Sequence, residues 1–247
     1  MSIQITKNGN QTLLMASKGE TRHVTFSAFQ PAYLEQNNLI IKKMSGRGAV
    51  YFYNWPSQNA VNTAPKLALR HYRRGGLVAK VSEDLFIYHG IQQTRCYQEL
   101  AILAYLQEQG VSVPTPIAGL ITQVGLFYKA DIITQVIINA QELHETLQVK
   151  TLTPETWQQI GLEIQRMHKA GVCHDDINVK NILLQEEDAA IKVYIIDFDK
   201  CKIKPDGTWK EANLARFKRS LVKQSHLYKE QTFSEKSWQH LLAGYHA

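Results

Sequence analysis

The pattern of hydrophobic and polar positions along the chain changes its period near residue 140. From residue 40 to 138, short apolar runs alternate with turn residues, as in strands, and only residues 92–109 repeat apolar positions at helical spacing. Gly110 follows that helix and ends it. Beyond residue 140 the helical spacing predominates. The pattern predicts an α+β fold in which an antiparallel sheet with one main helix precedes a mostly helical part.

A further helix is predicted with both of its ends defined. Thr153 can cap the first turn, Pro154 suits the first helical position, and Gly171 provides the stop. Because the change from strands to helices falls between the last strand-like run and this helix, we predict two domains. Residues 1–138 form a leader and a β domain, and residues 139–247 form a mainly helical domain with a basic tail.

Residues 174–181 read HDDINVKN, and Asp197 follows them at the end of the next apolar region. That region consists of two apolar runs, 182–184 and 191–196, separated by polar residues, and it predicts a β-hairpin. Asn181 directly precedes the first strand, and Asp197 directly follows the second. The two side chains are therefore expected at neighbouring positions of one rigid element.

This spacing, His-x-Asp-x-x-x-x-Asn and then Asp-Phe, is the arrangement that phosphoryl transfer uses. In that chemistry Asp176 accepts the proton of the attacking hydroxyl, and Asn181 and Asp197 hold Mg²⁺ against the phosphates of ATP. Each residue alone would suit a turn or a cap, but the complete spacing favours the chemistry. We therefore predict a bilobal protein-kinase-like fold with an antiparallel β N-lobe and a reduced, mostly α-helical C-lobe.

The β-rich domain contains candidates for binding the nucleotide. Gly46 and Gly48 open a strand and would let backbone amides approach phosphate oxygens. Arg70 stands at the end of a strand where protein kinases place a Lys, and Lys80 is its rival. Glu99, on the predicted helix, is the expected ion-pair partner, although a plain surface pair with a neighbouring Arg is an alternative.

The motif also departs from that of protein kinases. Asp175 stands where many of them have an Arg that senses a phosphorylated segment, and Asp199 replaces the Gly of Asp-Phe-Gly. Only 48 residues follow Asp199, too few for a large peptide-binding lobe. A small-molecule or lipid-linked hydroxyl is therefore the expected acceptor, rather than a protein.

The composition limits where in the cell the protein is expected to reside. Of the 247 residues 44% are hydrophobic and 20% charged, which is ordinary for a globular protein. The sequence has neither a long apolar span nor the apolar core of a signal peptide, so we expect synthesis and residence in the cytoplasm. The three cysteines lack the spacing of a zinc site or a disulfide framework and are expected to be reduced.

The net charge of +6 comes from the C-terminal tail. Residues 200–247 carry 10 Lys and Arg against 4 Asp and Glu, whereas the remainder carries 18 of each kind. Within the tail a basic amphipathic helix is predicted near residues 214–223. Its charged side either is simply solvated or attracts an anionic membrane surface. Nucleic acid is a weaker option, and it is not predicted as a partner.

Several segments together resemble the 3-deoxy-D-manno-octulosonic acid (Kdo) kinases, which belong with the heptose kinases of lipopolysaccharide core assembly. The most discriminating is LRHYRRGGL at residues 69–77. Others are PTP at residues 114–116, MHKAGVCHDDIN at 167–178, IIDFDKC at 195–201, and RFKRSLVK at 216–223. The resemblance extends over most of the chain, from about residue 46 to residue 223.

The resemblance implies ATP-dependent phosphorylation of the single Kdo sugar of Kdo-lipid IVA, at its 4-hydroxyl, at the cytoplasmic face of the bacterial inner membrane. It also implies that Asp176 is the catalytic residue. Two alternatives stay open on the residues alone: a kinase of another hydroxylated substrate, such as a heptose, an aminoglycoside or a protein, and a kinase-like module without activity. Intact Asp176, Asn181 and Asp197 argue against the inactive module.

Overall fold

The protein is described by a computed structural model covering residues 3–16, 24–44, 49–56, 65–74, 83–187, 190–226 and 233–247. Its contacts divide the chain into two compact units. The first consists of Met1–Ala104 and Thr115–Val136, and the second of Tyr105–Pro114 and Ile137–Ala247. The main boundary therefore lies two residues before the predicted one at residue 138.

Residues Tyr105–Pro114 belong to the second unit, whereas the predicted division had assigned them to the first. Hydrogen bonds explain the difference. The Tyr105 hydroxyl donates to the Ala170 carbonyl at 3.0 Å, and the Ser112 carbonyl accepts from the Ile195 amide at 3.1 Å. A sequence pattern that shows only where a helix ends gives no information about such contacts.

The first unit is built on one antiparallel sheet with the strand order β1-β2-β7-β8-β5-β4-β3, in which the short β6 also pairs with β8. The strands are β1 (Gln4–Asn8), β2 (Gln11–Met15), β3 (Ile40–Met44), β4 (Val50–Asn54), β5 (Lys66–His71), β6 (Phe86–Ile87), β7 (Pro116–Val124) and β8 (Phe127–Gln135). Buried side chains such as Leu67, Ile117 and Ile133 form its core. The predicted antiparallel sheet is confirmed by the strand pairings.

The N-terminal residues contribute more than the wrapped leader that the sequence indicated. Strands β1 and β2 form a hairpin, and β2 pairs with β7 from Gln11↔Thr122 to Met15↔Ala118. All five residues of β1 are exposed, so this strand shows no buried apolar face. That lack of a period-two pattern is why the sequence did not reveal it.

The helices of the first unit are α1 (Pro31–Gln36) and most of α2 (Arg95–Glu108). The predicted helix 92–109 is confirmed as α2 and is preceded by a 3₁₀ turn at Ile91–Gln93. Gly110 adopts a φ of +75°, a left-handed conformation that glycine takes without steric cost and that ends the helix.

The second unit contains α3 (Leu143–Val149), α4 (Pro154–Lys169), α5 (Trp209–Ser225) and α6 (Glu235–Tyr245). Its strands are β9 (Ala140–Glu142), β10 (Val172–Cys173), β11 (Ile182–Glu187), β12 (Ala190–Ile195) and β13 (Lys202–Ile203). The predicted hairpin is confirmed by the antiparallel pairing of β11 with β12. Among the residues that the structure describes, no helix is long and apolar enough to cross a membrane.

Helix α4 begins and ends as its sequence predicts. The Thr153 hydroxyl accepts a hydrogen bond from the Thr156 amide at 3.3 Å, Pro154 is the first helical residue, and Gly171 has a φ of +75°. The buried side includes Trp157 and Ile160. Because its C-terminus leads directly into β10 and the HDDINVKN segment, α4 determines where that segment starts.

Helix α6 packs against α4 at very short backbone distances. A Cβ atom placed on Gly161 would lie 1.9 Å from the Leu241 carbonyl oxygen, and one placed on Gly244 would lie 1.9 Å from the Gln158 carbonyl oxygen. Only glycine permits this approach at either position. The sequence pattern had not predicted α6, and these two glycines are the local reason why it can pack so closely.

Candidate active site

Residues 174–181, here called the catalytic loop, connect β10 to β11 and hold the backbone of Asp176 on both sides. The Asp176 carbonyl accepts hydrogen bonds from the side-chain amides of Asn178 at 2.8 Å and Asn181 at 2.9 Å. Its amide donates to His174 Nδ1 at 3.2 Å. The side chain, by contrast, is 60% exposed. A fixed backbone thus presents an accessible carboxylate.

His174 supports this loop from inside. Its ring is buried, Nε2 lies 3.1 Å from the Ile196 carbonyl oxygen, and Nδ1 receives the Asp176 amide. Since a carbonyl only accepts and an amide only donates, the proton must be on Nε2. Burial lowers the pKa of His174 and keeps the ring neutral. The residue therefore holds the loop against the end of β12.

Asn181 and Asp197 lie beside each other at the ends of the β11–β12 hairpin. The Ile196 amide donates to the Asn181 carbonyl at 3.0 Å, which brings the two positions together. Because Nδ2 of Asn181 donates to the Asp176 carbonyl, its Oδ1 is the atom left for a cation. One amide oxygen and one carboxylate suit Mg²⁺, which usually takes its other ligands from water and substrate phosphates. These residues fit the predicted ion.

Asp197 has an unusual backbone conformation for this role. Its φ is +65°, in the left-handed region that few residues other than glycine adopt, although Asp is among those that tolerate it. Its side chain is exposed, while the adjacent Phe198 is buried. Such conformations occur often at functional sites. The turn therefore places the Asp197 side chain at the surface and the Phe198 side chain in the interior.

In the first unit, Arg70 and Glu99 form the predicted ion pair. Nη2 of Arg70 lies 2.6 Å from both carboxylate oxygens of Glu99. The Tyr72 hydroxyl donates to the same carboxylate at 2.5 Å, and the Arg70 guanidinium lies 4.8 Å from the centre of the Tyr72 ring. Glu99 is only 4% exposed, so its carboxylate is not that of a surface residue.

The other candidates for nucleotide binding lie outside the described residues. Gly46 and Gly48 belong to residues 45–48, and Lys80 belongs to residues 75–82. Their roles stay predictions. Arg70 has the predicted partner, and the contact of Arg70 or Lys80 with the phosphates of ATP stays a prediction.

The sequence model of the family described as "Lipopolysaccharide kinase (Kdo/WaaP) family" matches residues 34–245. The chain belongs to this family. Two proteins named 3-deoxy-D-manno-octulosonic acid kinase illustrate the similarity. One from Haemophilus influenzae (strain PittEE) is 41% identical over 220 residues, which are 88% of this chain and 89% of that protein. One from Vibrio parahaemolyticus serotype O3:K6 (strain RIMD 2210633) is 42% identical over 210 residues, with shares of 83% and 84%.

A solved structure described as "WaaP in complex with acyl carrier protein" has a similar fold. It superimposes on this lipopolysaccharide kinase with a TM-score of 0.58 at 15% identity, over 85% of this chain and 80% of that chain. The predicted protein-kinase-like α+β fold is thereby confirmed, as is the resemblance to Kdo kinases. Membership of a kinase family also supports the predicted use of ATP.

Helix α5 of this kinase holds the catalytic loop through two further side chains. Asn213 Oδ1 accepts from the His174 amide at 3.1 Å, and Ser220 Oγ accepts from the Val179 amide at 3.1 Å. Both bonds satisfy backbone donors of the loop, at its start and near its end. The helix therefore determines the position of the loop.

Two of the basic residues that the sequence placed in the amphipathic helix, which lies within α5, make ion pairs in the second unit. Arg216 Nη2 donates to Asp176 Oδ1 at 2.5 Å, and Lys218 Nζ lies 2.9 Å from Glu235 Oε2. The sequence had grouped both cations with a surface helix. Charge periodicity alone does not show which cations of a helix have partners within the protein.

Asn213 and Ser220 were not predicted from the sequence, although one signal for Asn213 was present. Asn213, Phe217 and Leu221 repeat every four residues and are all buried. A polar residue at the start of an otherwise apolar stripe requires a hydrogen-bond partner when it is buried. The predicted stripe started at Leu214, which is only partly buried, and so left Asn213 out.

Proposed function

We propose that this kinase transfers the γ-phosphoryl group of ATP to the 4-hydroxyl of the Kdo sugar of Kdo-lipid IVA, with Mg²⁺ as the required ion. The geometry of the catalytic loop carries the proposal, because it fixes the backbone of Asp176 and leaves its carboxylate accessible. The relatives that are 41% and 42% identical support Kdo as the sugar through their names.

Asp176 acts on the acceptor. Its exposed carboxylate accepts a hydrogen bond from the sugar hydroxyl, orients the oxygen for attack and takes up the proton as the bond to phosphorus forms. Three hydrogen bonds to its backbone keep this carboxylate from moving with the substrate. Positioning supplies most of the catalysis in phosphoryl transfer, so this restraint is part of the mechanism.

Asn181 and Asp197 provide the oxygen ligands on the nucleotide side of the reaction. Mg²⁺, when bound there, neutralises charge that develops on the phosphate oxygens. Asn181 is held in orientation by its bond to the Asp176 carbonyl, so a shift of either residue moves the other. In the first unit, Glu99 orients the Arg70 guanidinium toward its expected role at the phosphates of ATP.

We further propose that the kinase works as a peripheral protein at the cytoplasmic side of the inner membrane. Its proposed acceptor is a lipid, and α5 carries two exposed cations one turn apart, Arg219 and Lys223. Neither makes a salt bridge to another residue in the described part of the chain. Such cations are attracted to anionic headgroups.

The test is incubation of the kinase with Mg-ATP and lipid A precursors that carry no Kdo, one Kdo or two, followed by mass spectrometry. One added phosphate on the acceptor with one Kdo is expected, and NMR of the product assigns the 4-position. Asp176→Asn, which keeps the shape of the exposed side chain, should transfer roughly 10²- to 10⁴-fold more slowly with an unchanged melting temperature. Phosphate on none of the acceptors, or equally on the one that carries no Kdo, would contradict the proposal.

A further inference from the structure

The ion pair between Arg216 and Asp176 does not assist the proton transfer assigned to Asp176. A catalytic base must receive a hydrogen bond from the acceptor hydroxyl, and a guanidinium only donates. In the structure Arg216 Nη2 already donates to Asp176 Oδ1 at 2.5 Å. The arginine thus occupies one of the two carboxylate oxygens that could receive the substrate hydroxyl.

Stability does not explain this pair either. The side chains of Arg216 and Asp176 are 47% and 60% exposed. Exposed ion pairs add only about 0–1 kcal/mol, because water screens both charges. The contact is therefore easily exchanged for another, and Arg216 can release Asp176 to a ligand that offers a better partner.

Arg216 remains beside the catalytic loop after such an exchange. Asn213, one turn before it, and Ser220, one turn after it, bind loop amides through their own side chains. These two contacts do not involve Asp176. A guanidinium is accordingly held next to the proposed base whether or not it contacts that base.

We propose that Arg216 binds the carboxylate of the Kdo sugar while the 4-hydroxyl of the same ring lies at Asp176. This inference rests on the proposed function. Arginine pairs with carboxylates through two parallel hydrogen bonds, a stronger arrangement than the single contact it makes to Asp176. The carboxylate and the 4-hydroxyl of the acceptor belong to the same sugar ring. Arg216 and Asp176 are in contact, so the groups that would receive them are also close together.

This arrangement gives the enzyme a means of choosing its sugar. An octulosonic acid carries a carboxylate, and a heptose does not. When Kdo binds, Arg216 leaves the carboxylate of Asp176 for that of the sugar. Asp176 then becomes available to the hydroxyl. With a neutral sugar, the guanidinium keeps its contact with Asp176 and competes with the hydroxyl. Arg216 is thus a specificity-determining residue.

The experiment compares two acceptors, Kdo-lipid IVA and its analogue in which the Kdo carboxylate is a carboxamide, at saturating Mg-ATP. The wild type should prefer the carboxylate by roughly 10- to 100-fold in kcat/KM, the value of one charge-assisted pair. Arg216→Gln should lose that preference, because transfer to the carboxylate acceptor slows while transfer to the carboxamide acceptor, relieved of the competing guanidinium, stays equal or rises, with KM for ATP unchanged. Arg216→Lys should recover part of it. Lys210→Gln removes a charge from the same helix at its surface pair with Asp206 and should leave the preference intact.

Each other outcome has a definite meaning. An equal loss on both acceptors in Arg216→Gln would mean that Arg216 acts on the phosphoryl group or on Asp176, and would overturn the inference. An unaltered preference in Arg216→Gln would overturn it as well, while leaving the proposed function standing. If the wild type phosphorylates neither acceptor, the proposed function fails and the inference fails with it.

Discussion

At the scale of single residues, Glu99 is a buried carboxylate whose charge is neutralised by Arg70. Arg70 Nη2 lies 2.6 Å from both of its oxygens, and Glu99 is 4% exposed. Arg70→Met removes this cation from a buried charge, so the free energy of unfolding should fall by about 3 kcal/mol, as measured by urea denaturation. The double variant Arg70→Met/Glu99→Gln should recover part of the loss.

Arg73→Met is the matched control for that prediction. Arg73 belongs to the same segment, but its partner Glu83 is 63% exposed and the pair is open to water. Its loss should cost no more than about 1 kcal/mol. Equal stability of the Arg70 and Arg73 variants would contradict the structural role of the Arg70 pair.

His168 makes stability depend on pH. Burial lowers its pKa to about 4, and its ring contacts the Tyr245 hydroxyl at 2.8 Å and Asn213 Oδ1 at 3.4 Å. The unfolded chain takes up a proton near pH 6.5, whereas the folded ring does not until about pH 4. The free energy of unfolding should therefore fall with decreasing pH across this window, by about 1.4 kcal/mol per unit for this residue.

His168→Gln should reduce the slope of the free energy of unfolding against pH by the contribution of about one proton. Urea midpoints measured between pH 6.5 and 5 test this. Part of the slope should remain in this variant, because burial lowers the pKa of His174 as well and its effect on stability has the same sign. A slope that is equal in the wild type and His168→Gln would show that another group is responsible.

How far single residues can be predicted depends on whether their role is local. Asp176, Asn181 and Asp197 belong to one spacing of residues, so the sequence predicts them together. Arg216 lies 40 positions from Asp176 and contacts it only because α5 returns to the catalytic loop. The sequence pattern does not show that α5 folds back onto the catalytic loop.

At the scale of elements, the packing of α6 on α4 has no room for a side chain at two positions. A Cβ on Gly161 would lie 1.9 Å from a backbone oxygen, which cannot move without shifting α6. Gly161→Ala should lower the free energy of unfolding by about 3 kcal/mol or more, at the upper end for overpacking. Thermal unfolding followed by circular dichroism measures this.

Gly207→Ala is the control at this scale. A Cβ there would meet only a side-chain atom of Trp209 at 3.6 Å, an ordinary contact. The melting temperature of this variant should stay within a few degrees of the wild type, corresponding to about 0.5 kcal/mol. A similar melting temperature for Gly161→Ala would mean that α6 is not packed as described.

The elements that could be predicted have strong local signals. Helix α4 has a capping residue, an N-terminal proline and a terminal glycine, and the β11–β12 hairpin has apolar runs around a polar turn. By contrast, β1 is exposed along its length, and it exists because β2 extends the sheet beside β7. Tertiary pairing, rather than local preference, determines such an element.

At the scale of the whole molecule, the excess positive charge predicts salt-dependent membrane binding. Arg219→Gln/Lys223→Gln removes two exposed cations of α5. In sedimentation with vesicles containing anionic lipid, each lost charge should cost about 1 kcal/mol of binding free energy at low salt. The difference from the wild type should vanish near 1 M salt, where the Debye length is about 3 Å.

The double variant Lys202→Gln/Lys236→Gln carries the same net charge and serves as the control, because its exposed lysines lie outside α5. It should bind the vesicles more strongly than the Arg219 and Lys223 variant at low salt. Equal binding of the two variants would mean that net charge, rather than this side of α5, produces the attraction.

The overall fold was predictable because the change of period near residue 140 and the catalytic spacing agree with each other. The predicted division at residue 138 and the two units defined by contacts differ in the placement of Tyr105–Pro114, which no local pattern indicates. That segment joins the second unit through hydrogen bonds to residues far along the chain. The identity of the sugar came from resemblance to relatives, since no spacing of residues encodes it.

The close approach of α4 and α6 also has a consequence for synthesis. Helix α4 leads into the catalytic loop, yet the surface that covers it, Glu235–Tyr245, is translated more than sixty residues later. While the ribosome is still adding those residues, α4 exposes an apolar stripe to water. The nascent chain therefore holds its proposed phosphoryl-transfer residues in an unfinished unit until α6 has left the exit tunnel.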